Sequence, residues 1–272
     1  MKIRRIKITT IFAVAVVLLV LLLAFFPSIF TTYDPLQMDM MNSLKGPSSL
    51  HWLGTDEYGR DLWSRIVYGA RPSIAVGFGA ATLAALIGIP MGLAAGYFGK
   101  IADNVIMRIM DACSAFPSFL LAILIITIMD PSTLSLILTI SIVNIPAFAR
   151  IVRSNVLSLK KREFVEAARA FGAKKRYVMF RTILPNCISS ITVEYSLVAA
   201  TAILMEAGMS FLGLGIQPPT PSWGSMLSYA NQYLNHSITY IMVPTCTIFI
   251  VVLCVNLLGD ALRDWLDPMK MK

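Results

Sequence analysis

The sequence predicts an all-α integral membrane protein with six transmembrane helices. Three observations carry this reading. Hydrophobic residues make up 57% of the 272 residues and charged residues only 14%, against roughly 25% charged in soluble chains. The charges are gathered into short segments, leaving apolar runs of the ~18 or more residues that cross a hydrocarbon core as a helix. Finally, Lys and Arg are divided very unequally between alternate connecting segments, as they are when one side of a membrane is cytoplasmic.

The first element begins after Lys2, Arg4, Arg5 and Lys7 with an unbroken apolar run over 11–26. A secretory signal has a shorter apolar region, roughly 7–15 residues, and a small-residue cleavage site. Here the run continues into FFPSIF, so an uncleaved span over 8–30 is expected. Further spans are expected at 73–96, 106–129, 133–150, 187–210 and 238–259. Pro90, Pro117, Pro146 and Pro244 interrupt four of them. Such breaks are tolerated where neighbouring helices or a water-filled cavity satisfy the freed backbone groups, which points to a bundle around a cavity. The expected organisation is a first span plus extracytoplasmic segment over 1–72, a core over 73–260 and a cytoplasmic tail over 261–272.

With six spans and the N-terminus inside, all of the 23 Lys and Arg except Lys45, Arg60, Arg65 and Arg71 fall on the inner side. Both termini are therefore expected in the cytoplasm. The same bias accounts for the net charge of +8 without nucleic acid as a partner. Cys113, Cys187, Cys246 and Cys254 form no C-x-x-C pair and lie in or beside apolar stretches. They read as small core hydrophobes, neither a disulfide framework nor a metal site. In the second span Gly88, Gly92 and Gly96 recur every four residues on one face, where another helix, of this chain or of a partner, can approach closely.

Between the fourth and fifth spans lies EFVEAARAFGAKKRYVMFRTILPN, residues 163–186, within a cytoplasmic loop of about 150–187. Phe164, Ala167, Ala168 and Phe171 recur at helical spacing, and Gly172 suits a left-handed helix stop. Tyr177, Phe180 and Leu184 then renew the rhythm, with Pro185 expected to end a second short helix. Two amphipathic helices joined by a tight bend are expected at the membrane surface. Lys160, Lys161, Arg162, Lys174, Lys175 and Arg176 are consistent with anionic headgroups as one partner. The small residues beside an acid in Glu166-Ala167-Ala168 suit docking against protein as another.

EAARAFG, followed twelve residues after its glycine by Leu184-Pro185, resembles the EAA motif of ABC importer membrane subunits. That family is expected to have the type I permease fold with a cytoplasmic EAA coupling helix. The resemblance implies that Glu166, Ala167, Ala168, Gly172, Leu184 and Pro185 couple the chain to cytoplasmic ATPase subunits. Thr182 stands where the family usually has an apolar residue, with Ile183 beside it. HWLGTDEYGRDLWSRIVYGARPS at 51–73 and MSFLGLGIQPPTPSWGSM at 209–226 are similar to signatures of the C-type permease of dipeptide, oligopeptide and nickel importers.

The resemblance further implies four kinds of partner. They are a homologous B-type permease subunit, two ATPase subunits that hold ATP and magnesium, an extracytoplasmic substrate-binding protein, and the lipid of a bacterial or archaeal cell membrane. Peptides are the implied cargo, with nickel or a metal chelate as the alternative. In the first signature, Trp63, Ile66, Val67 and Ala70 form a helical stripe that Thr55 or Asp56 can cap. A short helix lying at the outer interface is expected there, and a folded-back outer loop in the second signature. Interfacial packing, substrate contact and docking of the binding protein all remain open as their roles.

The chain contains no G-x-x-x-x-G-K-[ST] phosphate loop: around Gly99-Lys100, Ala94 replaces the first glycine and Ile101 the final hydroxyl residue. No catalytic constellation is present, and no cofactor is expected in this chain. The two histidines, His51 and His236, stand apart on the outer side, the commoner pattern for surface histidines than for nickel ligands. Carboxylates inside a span suggest a pathway or a pair, so Glu194 and Glu206 are the candidate pathway or gate residues. They lie twelve residues apart, about 120° around the helix. A self-contained secondary carrier would use one of them as its ion site, and would leave the EAA block without a role.

Overall fold

The computed structural model describes residues 7–266. The membrane-crossing helices are α1 (Ile8–Phe25), α3 (Leu62–Phe98), α6 (Thr133–Leu159), α9 (Ile188–Phe211) and α11 (Ile238–Leu266). A sixth crossing is broken into α4 (Lys100–Ser114) and α5 (Ser118–Ile126), which meet at 85° around Pro117. Short helices complete the chain: α2 (Pro27–Phe30), α7 (Glu163–Ala170), α8 (Lys175–Tyr177) and α10 (Trp223–Gln232). Among the described residues the only β pairing is one bridge between Thr55 and Asp61.

Lys7, before α1, lies 3.8 Å from Asp264 in the last turns of α11. An exposed pair contributes little energy, but it places the start of α1 and the end of α11 on one side of the bundle. An even number of crossings follows, so α4 and α5 together make one crossing. The same path brings α7 to the end that holds Lys7 and Asp264.

The expected short interfacial helix before residue 73 is not separate. Leu62–Phe98 is one helix of 37 residues, about 55 Å long, and it contains both Pro72 and Pro90. Ile66, Val67 and Ala70 are buried in the main core. The cap also differs from expectation: Asp61, neither Thr55 nor Asp56, accepts the Ser64 backbone N–H at 2.8 Å. Asp56 is occupied by arginines, as described below. The first span breaks at Phe26, four residues earlier than expected, because Pro27 opens α2. The sixth span continues past 259 to Leu266, and the fourth past 150 to Leu159.

Helix α3 packs against α6, α9 and α1 and forms the centre of the bundle. Its contact with α6 uses the glycine stripe. A Cβ on Gly92 would lie 2.5 Å from the Ala149 carbonyl oxygen and 2.9 Å from Val152 Cβ; Gly88 and Gly96 are as tightly faced by Phe148 and Val156. The partner of the stripe is thus within the chain. Gly92→Leu should destabilise the fold by about 1–3 kcal/mol or more through overpacking. Thermal unfolding of the purified protein in detergent checks this, and Gly46→Ala, where nothing lies within 4 Å of the added methyl, should leave the midpoint unchanged.

Candidate functional site

At the end of the bundle that carries Lys7 and Asp264, α7 stands on a small core of its own. Val165 is the one α7 residue fully buried, packed with Leu93, Val152, Val156, Val178, Met179, Ile183 and Cys187. Arg169 lies over the Tyr97 ring at 5.2 Å, a cation–π contact that ties α7 to the last turn of α3. Glu163 and Glu166 occupy the first turn and Arg169 the last, each at the helix end that its charge favours. Lys160 Nζ donates to the Gly96 carbonyl at 2.8 Å, holding the approach to α7 against α3.

The expected bend is present in full. Gly172 has φ +80°, the Gly172 N–H donates to the Arg169 carbonyl at 2.9 Å and the Ala173 N–H to that of Ala168 at 3.1 Å. This is a Schellman stop. A Cβ on Gly172 would meet nothing within 4 Å, so the requirement for glycine is conformational, not steric.

The apolar stripe read from the sequence faces outward. Phe164 is 43% and Phe171 92% exposed, with Ala167 exposed beside them and Ala168 half-buried. The second expected helix takes a different form. One turn of α8 leads into a π-helical stretch, Val178–Ile183, and a 3-10 turn, Leu184–Cys187, which runs directly into α9. Pro185 therefore does not end a helix. The Leu184 N–H reaches back five residues to the Met179 carbonyl, a register change that accommodates the proline's missing donor. Leu184 is half-buried and Pro185 exposed.

The two intramembrane carboxylates are not brought together, being about 18 Å apart along α9. Glu194 is half-buried. Glu206 is fully buried and accepts from Ser210 Oγ at 2.7 Å and Ser73 Oγ at 3.2 Å, while Ser73 Oγ lies 3.3 Å from the Trp223 N–H. It joins α9 to α3 and to the start of α10, with no exposed surface on this chain.

Residues 88–272 match the family described as the binding-protein-dependent transport system inner membrane component. The chain belongs to this family. Its members are membrane permease subunits of ABC importers. The chain is 47% identical over 252 residues to the dipeptide transport system permease protein of Alkalihalophilus pseudofirmus, covering 93% of this chain and 83% of that protein. It is 44% identical over 255 residues to the glutathione transport system permease protein of Pectobacterium atrosepticum, covering 93% and 84%. With the di/tripeptide transport system permease protein of Pseudomonas aeruginosa the identity is 40% over 257 residues, covering 92% and 85%. Among solved structures, the inward-facing MetNI methionine ABC transporter matches with a TM-score of 0.64 at 19% identity, over 76% of this chain and 98% of that one. At that identity the likeness concerns the fold alone.

The opposite end of this permease chain holds a buried ionic cluster that sequence reasoning missed. Asp56 accepts from Arg60 Nε at 2.6 Å and lies 3.3 Å from Arg65 Nε. Arg60 also donates to Glu57 at 3.2 Å, Arg65 Nη1 to the Pro35 carbonyl at 3.1 Å, and the Tyr240 hydroxyl to the other Glu57 oxygen. All five side chains are buried. The string DEYGRDLWSR displayed four of these charges, but only the fold brings Tyr240 to them from 183 residues away. His51 is taken up by Asp61, with Nδ1 to carboxylate at 2.9 Å, and His236 is exposed beside Tyr233. Among the described residues no group of three His, Cys, Asp or Glu could hold a metal ion.

On the α7 side, Asp103 on α4 is gripped bidentately by Arg153 of α6, and Arg150 Nη2 reaches Asp111 at 3.1 Å and Ser114 Oγ at 2.9 Å. These pairs tie the first half of the broken crossing to the helix that feeds α7.

Removing one member of the buried cluster leaves charges without partners. Asp56→Ala should cost about 3–5 kcal/mol, and Tyr240→Phe, which removes one hydrogen bond to a carboxylate, about 1.5–3 kcal/mol. Thermal unfolding in detergent should rank the two variants in that order.

Proposed function

We propose that this chain is the permease subunit of an ATP-driven, binding-protein-dependent importer of small peptides, and that α7 is its coupling helix. The observation that carries this reading is the form of α7. The helix is anchored through Val165 and Arg169, closed by the Gly172 stop, and leaves Phe164, Ala167 and Phe171 exposed on one face. An exposed apolar patch on an otherwise basic surface marks a protein-docking face. The partners at that face are two cytoplasmic ATPase subunits, which hold ATP and magnesium themselves.

Glu166, Ala167, Ala168 and Gly172 form the docking side, and Leu184 and Pro185 join it to α9. The bias of Lys and Arg toward this end supports a cytoplasmic position for it and for both termini. A homologous B-type permease subunit completes the pathway, and an extracytoplasmic binding protein delivers the cargo. The names of the dipeptide, glutathione and di/tripeptide relatives support peptides as that cargo. Glu194, half-buried and about two turns into α9, is the carboxylate nearer the pathway; Glu206 is a packing residue.

Gly172→Val tests the coupling role. A β-branched residue at φ +80° is strained by about 1–2 kcal/mol, which distorts the bend without touching the spans. The variant should insert at normal levels, and its reconstituted complex should lose uptake while ATP hydrolysis no longer responds to loaded binding protein. Normal uptake by this variant would overturn the coupling assignment.

A further inference from the structure

The coupling role uses α7 and its bend, and leaves the next segment unexplained. Lys174, Lys175, Arg176 and Arg181 are all exposed, and among the described residues none of them is in an ion pair. The segment has two sides. Val178, Met179, Ile183 and Cys187 are buried in the small core beneath α7. The other side presents Arg176, Tyr177, Phe180 and Arg181, with Tyr177 57% and Phe180 42% exposed.

The π-helical turn bears directly on this face. Arg176 and Arg181 are five residues apart, which in an α-helix would separate them by about 140°. The wider turn over Val178–Ile183 narrows that angle, bringing the two arginine positions closer to one side of the segment. Across the bend, α7 carries Glu163 and Glu166, whereas residues 173–187 carry no acid. The two halves of the block thus differ in the chemistry they can meet. The basic half is also continuous with the membrane span, as part of one helix over Lys175–Phe211. Aromatic rings interleaved with unpaired cations at the end of a span match the headgroup layer, rings at the interface and cations at phosphate.

We propose that the face formed by Arg176, Tyr177, Phe180 and Arg181 is a binding site for anionic phospholipid headgroups, so that the block meets protein with its first half and lipid with its second. Lys174 and Lys175 add to the local potential. The inference rests on the cytoplasmic placement given above, since anionic lipid is concentrated in that leaflet.

The test uses the assembled importer in vesicles of phosphatidylcholine alone or doped with phosphatidylglycerol. Phosphatidylglycerol retained on the extracted complex is read by native mass spectrometry. Retention needs no uptake, so a failure of the coupling model leaves this measurement intact. R176Q/R181Q should lower retention on the order of 30-fold, at about fivefold per charge, with uptake in pure phosphatidylcholine unchanged. K100Q/R108Q, an equal loss of charge from exposed positions on α4, should leave retention unaltered, and added inorganic phosphate should not displace the lipid. Unchanged retention in R176Q/R181Q would overturn the proposal. So would an equal fall in K100Q/R108Q, which would indicate diffuse charge and not a site. Displacement by inorganic phosphate would point to a free anion instead, and loss of ATPase subunits from R176Q/R181Q in pure phosphatidylcholine would assign the face to protein; either result would also overturn it.

Discussion

The structure depends on the close approach of α3 to α6. Lipid tails are as apolar as leucine, so helices in a bilayer associate through packing and not through exclusion of water. Gly88, Gly92 and Gly96 let the α6 backbone come within distances at which no Cβ would fit. That contact fixes a 37-residue helix as the axis on which other elements are hung. At one end its cap, Asp61, collects Ser64 and His51, and Arg65 enters the ionic cluster. At the other end the Gly96 carbonyl holds Lys160 and the Tyr97 ring holds Arg169. Both the segment before α3 and the α7 region therefore take their positions from one rigid element.

The distribution of polar groups follows the same logic. Charges inside the protein are grouped and provided with partners: Asp56, Glu57, Arg60 and Arg65 with Tyr240, Glu206 with its serines, Asp103 with Arg153. Such clusters add little net stability compared with apolar packing, but they are costly to half-dismantle. They hold the connecting segments in one arrangement. The outward face of α7 is left uncovered by the chain itself, with Phe164 43% and Phe171 92% exposed.

Much of this was legible from sequence because it is local or periodic. Apolar run length located the spans, the four-residue glycine spacing marked a helix contact, and Gly172 in front of a new helical rhythm marked the bend. Two of the failures share a cause, which is that proline reads the same at a helix end and inside a helix. Pro72 and Pro185 both lie within continuous structure, Pro72 inside α3 and Pro185 in a register shift from π to 3-10 turns. Asp56 was a reasonable cap by type, but its carboxylate is taken by two arginines and the role falls to Asp61. Helix α10 was hidden in a Gly- and Pro-rich stretch, where the signal was Ser222 three residues before Ser225, a reciprocal cap. The partners of Glu206 come from 133 residues away, a separation that no local pattern encodes.

The continuity at Pro185 has a mechanical consequence that the expected stop would have lacked. Val165 of α7 and Val178, Met179 and Ile183 share one buried core, so under the proposed coupling role a push on α7 would be delivered to the segment that becomes α9. Had Pro185 ended a helix, a flexible joint there would absorb the displacement. Because the register shifts without a break, α9 is continuous with its own entrance. Its far end is not free either, since Glu206 is bonded to Ser73 of α3, and Ser73 in turn to the first residue of α10. Gly224 of α10 lies so close to Ala207 that a Cβ would sit 2.5 Å from its Cα. Under the proposed coupling role, a displacement entering at α7 would therefore meet, at the opposite end, the bonded and closely packed set of α3, α9 and α10 around Glu206.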